Sequence, residues 1–174
     1  MQAEERSELL DALQAGHEAL GNALANVDEE LARRTPHGGG WSILECMDHL
    51  VTSERYLLSR LRQAKIAEDS PVNPGRAAKI AAIAADRTRH IEAPDVARPT
   101  GSFATLGEAI AAFDETRAEV VSWVEACESD PRWMVADHPM IAGPVTCYEI
   151  LLLIAAHPGR HAKQIEEIWR AVER

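Results

Sequence analysis

Cysteine is scarce in this chain, and what there is does not pair. Cys46, Cys127 and Cys147 make an odd count with no Cys-x-x-Cys spacing, which argues against a disulfide framework and fits a reducing compartment. Positive charge is in deficit, with 18 Lys and Arg against 28 Asp and Glu and a net charge of -10. Such a surface repels phosphate backbones and anionic lipids, so neither a nucleic-acid partner nor membrane association is expected. Long apolar runs are missing as well: the densest, Ile150 to Ala156, is far shorter than the ~20 residues that cross a bilayer. No basic-then-apolar leader opens the sequence, and the expectation is a cytoplasmic protein. Walker loop, dinucleotide fingerprint and Ser-His-Asp signature are all absent, which removes those chemistries from consideration.

What is present favours helix. Aromatics are 5% of the 174 residues and alanine and leucine fill most apolar positions, a palette suited to α-helices more than strands. The length is that of a single domain, residues 1–174. Leu10, Leu13, His17, Leu20, Leu24, Val27 and Leu31 recur in steps of three and four, the seam of a helix in a bundle. His17 then occupies a core or interface position with a local partner, or points toward a site inside the bundle. Thr35-Pro36-His37-Gly38-Gly39-Gly40 breaks the pattern. Ser42 with Glu45 forms a capping box before a helix expected from Ile43 to Ala67, ended by Ser70-Pro71 and Asn73-Pro74-Gly75. A short alanine-rich helix between Arg76 and His90 and the connection Ala93 to Phe103 read as a crossover. Two more capping boxes, Thr105 with Glu108 and Thr146 with Glu149, start the third and last long helices, the latter running to about Ala171. The fold class is all-α: a four-helix bundle with a long crossover between the second and third long helices.

Within the last helix, His157 and His161 are four residues apart and share a face. Spacing alone leaves a surface pair as the more ordinary reading. The flanking Ile150, Leu151, Leu153, Ile154, Ile165 and Ile168 place the pair in a largely buried helix, where an unpartnered imidazole costs on the order of 1 kcal/mol or more. His49, beside the core stripe of the second long helix, is the third candidate. Three neutral imidazoles leave one or two positions open on a divalent ion, and they suit zinc, nickel or ferrous iron.

The run Gly40-Trp41-Ser42-Ile43-Leu44-Glu45-Cys46-Met47-Asp48-His49-Leu50 resembles the Trp-Ser-x-x-Glu...His-Leu signature of DinB-like proteins. His138-Pro139...Gly143...Ala156-His157-x-x-Arg160-His161-x-x-Gln164-Ile165 resembles their C-terminal signature, and the segment from Asp86 to Phe113 is also similar. The resemblance implies a four-helix bundle with His49, His157 and His161 as ligands of a divalent metal. It also implies a small-molecule substrate, thiol-dependent transferase or hydrolase chemistry with a low-molecular-weight thiol as a partner, and a homodimer. A non-catalytic metal-binding or stress-responsive bundle is the alternative.

Pro158 departs from a regular helix, because proline removes the amide that would bond Ile154 and strains the preceding residue. Either the helix kinks there and both rings still converge on the metal, which is expected, or His157 turns away and the site is damaged. Helical spacing nominates Gln164, one turn beyond His161, and Cys46, one turn before His49, as supporting groups. Glu45 is assigned to its capping box, and His138, in a loop before the last helix, to the loop or the mouth of the site. Arg160 is expected to pair with a carboxylate of the chain, with binding of an anion or a substrate carboxylate as the lesser reading. Cys147 is read as a small space-filling residue, with a dipole-favoured thiolate as the lesser option; His37 and His90 receive no role.

Overall fold

All three capping boxes close, and each starts a long helix. Ser42 Oγ accepts from the Glu45 amide at 3.2 Å while the Glu45 carboxylate accepts from the Ser42 amide at 2.8 Å. Thr105 with Glu108 and Thr146 with Glu149 repeat the arrangement. The computed structural model describes residues 1–69, 71, 73, 75–89 and 91–172; His90 and part of the Ser70–Gly75 breaker lie outside the described residues. The helices are α1 Ala3–Leu24, α2 Glu29–Arg33, α3 Ile43–Gln63, α4 Arg76–Ala85, α5 Leu106–Ala126 and α6 Cys147–Val172. Among them α1, α3, α5 and α6 form a four-helix bundle. Helix α1 packs on α6 and α5, and α3 packs on the same two, so the consecutive long helices α1 and α3 face each other across a diagonal. The crossover joins α3 to α5 as expected, with α4 lying on α6.

Three sequence expectations need correction. The first helix does not reach Leu31: it stops at Leu24, and Asp28 caps a separate α2 by accepting from the Leu31 amide at 2.8 Å, a local bond that competes with continuing the helix. The second long helix ends at Gln63 rather than Ala67, because Lys65–Ile66 (β1) pairs antiparallel with Met134–His138 (β2). The segment before α6, read as a loop, is a hairpin of β2 with Ile141–Thr146 (β3) in the sheet order β1-β2-β3. Its prolines fit strand geometry: Pro139 lies in the turn, and Pro144 falls on the edge strand, where a missing amide is tolerated.

The apolar core is split in two. One cluster gathers Leu20, Ile43, Met47, Leu50, Val51, Phe113, Ala162 and Ile165; the other gathers Leu13, Leu57, Val120, Leu151, Ile154 and Ala155. Following each long helix from one cluster to the other crosses polar or small positions: Gly16 and His17, Ser53 and Glu54, Thr116 and Arg117, and the stretch His157–His161. The histidines therefore belong to a polar layer between two oily halves.

That layer explains the rotation of α1. Leu9, Leu13, Gly16 and Leu20 face inward, one position off the Leu10/His17 seam, and His17 sits at the rim, 2.7 Å from Asp114. It has a local partner, but not a core position. Gly16 takes the inward place because the helices nearly touch: a Cβ there would lie 2.3 Å from the Ala155 carbonyl oxygen. Gly16→Ala is expected to destabilise the protein by about 1–2 kcal/mol, overpacking outweighing a helix-propensity gain of roughly 1 kcal/mol. Gly21→Ala, in the same helix with open space around it, should stabilise by about 0.5–1 kcal/mol. Urea unfolding of the two variants checks this, and midpoints moving in the same direction would contradict the close approach.

Candidate metal centre

Helix α6 runs unbroken through Pro158, and the two rings that flank it meet. His157 Nε2 lies 2.9 Å from His161 Nε2 and 3.3 Å from His49 Nε2. His49 and His161 are buried and His157 is half-buried. One ligand atom from each of the three residues falls within 4.8 Å of the others.

The protonation of the cluster follows from its neighbours. His49 Nδ1 is 2.5 Å from the Ala97 carbonyl; since a carbonyl only accepts, that nitrogen carries the hydrogen and Nε2 presents a bare lone pair to the other two rings. Ser53 Oγ lies 3.3 Å from the same Nδ1, and Trp41 packs against the His49 ring with centroids 4.8 Å apart. His161 Nδ1 is buried without a partner. One N–H from His157 or His161 can bridge a pair of these nitrogens, but with His49 Nε2 bare the three inward-facing atoms are not all well satisfied by hydrogen bonds among themselves. They suit a shared cation.

Burial lowers the pKa of His49 and drives those of His157 and His161 well below 6.5, with the neighbouring imidazoles and the Arg160 guanidinium pushing the latter two further down. The rings are therefore neutral near pH 7, the form that ligates metals. In the unfolded chain each titrates near 6.5, so below that pH the unfolded state binds more protons and native stability falls. Urea midpoints of the metal-free protein should decline from about pH 7 to about pH 5.5, and more gently after His157→Leu; an equal decline in both would detach the histidines from the effect.

The crossover positions His49. Asp48, next to it on α3, is buried and accepts from the Thr100 and Gly101 amides at 2.6 Å each, from the Ser102 amide at 3.4 Å and from Thr100 Oγ1 at 3.1 Å. Gly101 adopts a φ of 71°, in the left-handed region. This clamp holds the segment whose short 3-10 turn, Asp95–Ala97, supplies the carbonyl for His49. Asp48 lies within the signature run without a role that its sequence neighbours assign, and Ala97 carries no side-chain signal; an acidic residue beside a ligand candidate, opposite an overlong crossover, is the one clue the sequence offers.

The other nominated residues fall elsewhere. Cys46 packs in the apolar core, and burial pushes its thiol up to about 12, so it is a space-filling residue of α3 rather than a partner of His49. Cys147, also buried and raised to about 12, fits the space-filling reading. Gln164 comes close enough to His161 to raise its pKa by hydrogen bonding, although Nδ1 makes no well-aligned bond. His138 lies in β2 and accepts from the Met140 amide at 3.2 Å, serving the hairpin. Arg160 does not take a carboxylate: its guanidinium donates to the backbone carbonyls of Asp86 and, at 2.8 Å, Arg89, tying α6 to the segment after α4. The nearby Glu167 carboxylate is engaged by Arg87 at 2.9 Å. Among the described residues, no helix is long and apolar enough to cross a membrane.

No curated protein matches the chain significantly. Two solved structures share its fold. YfiT from Bacillus subtilis, described as a probable metal-dependent hydrolase with an unusual four-helix bundle topology, superposes with a TM-score of 0.62 at 15% identity over 99% of this chain and 90% of that one. TT2238, described as a four-helix bundle protein, gives 0.59 at 20% identity over 93% of this chain and 98% of that one. The DinB superfamily profile spans residues 12–165, taking in α3, the crossover and the histidine pair of α6, and the chain belongs to that superfamily.

Proposed function

We propose that His49, His157 and His161 hold one divalent ion and that the protein is a metal-dependent hydrolase of a small molecule. The carrying observation is the convergence of three Nε2 atoms with the His49 tautomer fixed so that its lone pair points inward. Separations of 2.9 and 3.3 Å are close to the ~3.3 Å edge of a tetrahedron built on metal–nitrogen bonds of about 2.0–2.1 Å. Three neutral ligands leave the ion its full charge and an open position, where it would lower the pKa of a water or thiol and act as a Lewis acid. The chain's own residues orient and shield: Ala97 fixes the His49 ring, Trp41 covers it, and Asp48 is committed to the crossover. The likeness to a structure described as a probable metal-dependent hydrolase supports hydrolysis; zinc, nickel and ferrous iron all suit the ligands.

Elemental analysis of untagged protein is the test. About one ion per chain, lost in both His49→Ala and His161→Ala, is expected. The loaded protein is then assayed on small esters and amides with and without a low-molecular-weight thiol. Turnover that requires the thiol would reassign the protein to thiol transfer, and no ion after incubation with zinc, nickel and iron would overturn the proposal.

A further inference from the structure

Arg117 on α5 is 5% exposed, and its guanidinium reaches every other long helix of the bundle. Nη1 donates to the Leu13 carbonyl of α1 at 2.9 Å. Nη2 donates to Glu54 Oε2 of α3 at 2.7 Å and to the Ile154 carbonyl of α6 at 3.4 Å. The group also lies over the Phe113 ring, 5.2 Å from its centroid. Of these partners, Ile154 is the informative one. In a regular helix its carbonyl would accept from the amide four residues on, and residue 158 is proline, which has none.

We propose that Arg117 is a positioning residue for the histidine site. Its guanidinium supplies the hydrogen that Pro158 lacks, and so steadies the turn that carries His157. Through Glu54, five residues beyond His49 on α3, the same group sets α3 against α6, the two helices that bring the three imidazoles together. A lysine could keep the charge beside Glu54, but it has no planar fork to span acceptors on three helices. The functional consequence rests on the metal reading above; the role in the His157 turn does not.

The discriminating comparison is Arg117→Lys with and without Pro158→Ala, since alanine restores an amide to the Ile154 carbonyl. Zinc affinity is measured by chelator competition, and hydrogen exchange of the Gly159, Arg160 and His161 amides is followed in the metal-free protein. Arg117→Lys alone should weaken zinc binding about 10–100-fold, as loss of a group that orients ligands does, and speed exchange of that turn about tenfold. In the Pro158→Ala background both effects should shrink to within roughly threefold, because the two sites are coupled through one carbonyl. Equal losses in both backgrounds, or faster exchange spread evenly over the bundle, would reduce Arg117 to a buried ion pair and overturn the inference. Should the parent protein bind no zinc, the functional reading fails alone, and the exchange data still decide the role of Arg117. If Arg117→Lys does not fold, Glu54→Gln, which removes the charge that holds Nη2 beside the Ile154 carbonyl and so weakens that contact, replaces it with the same expected dependence on Pro158.

Discussion

His161→Leu should leave the metal-free protein as stable as the parent or more so, and abolish the stabilisation that zinc confers. The two halves of this result have separate causes. Without an ion, His161 contributes a buried Nδ1 with no partner and an Nε2 that can share only one hydrogen with the His157 Nε2 2.9 Å away. An unsatisfied buried polar group costs about 1–3 kcal/mol, and leucine removes that cost while filling similar space beside Ile165 and the core. With an ion the balance reverses. A ligand that binds only the native state stabilises by about 4 kcal/mol at a thousandfold excess over Kd, and a site reduced to two imidazoles loses most of it. Thermal unfolding of both proteins, with chelator and with excess zinc, reads both halves. Equal zinc-induced shifts would place the ion elsewhere; a large loss of metal-free stability would mean that His157 and Gln164 satisfy His161 without an ion.

The pattern of what the sequence made legible follows the range of the interactions. Helix starts could be read because a capping box needs only four consecutive residues, and Ser42/Glu45, Thr105/Glu108 and Thr146/Glu149 all close as spaced. The His157/His161 juxtaposition is local too, and His49 was found because its helix carries a clear apolar stripe. What escaped depends on contacts between distant segments. Lys65–Ile66 becomes a strand only because Met134 and Val135 come alongside. The rotation of α1 by one position turns on how closely Gly16 can approach Ala155, which no periodicity in α1 contains. Arg160 was assigned to a carboxylate by charge, whereas the fold offers it the carbonyls of the crossover. Ala97 acts through its backbone oxygen, and a side-chain pattern carries no trace of that.

Asp48→Asn is expected to cost about 2–4 kcal/mol of stability and, separately, to weaken metal binding. The buried carboxylate accepts from three obligate donors, the amides of Thr100, Gly101 and Ser102, and from the hydroxyls of Thr52 and Thr100. Bonds to a charged acceptor contribute roughly 1.5–3 kcal/mol each, and asparagine turns an NH2 toward one set of donors while surrendering the charge. The clamp on the crossover then loosens. Because the Ala97 carbonyl that orients the His49 ring belongs to that same segment, its hold on Nδ1 loosens with it, and loss of such an orienting bond costs about 10–100-fold in metal affinity. Thr52→Val serves as the control, since it removes one 3.3 Å contact to Asp48 and spares the loop amides; it should change stability by less than about 1 kcal/mol and leave affinity unchanged. Urea unfolding without metal separates the stability effect from zinc affinity at a temperature where both variants are folded. Weakened folding with undiminished affinity would show that the α3 helix alone aims His49. A parallel loss of both would make the crossover, rather than the bundle, the element that completes the three-imidazole cluster.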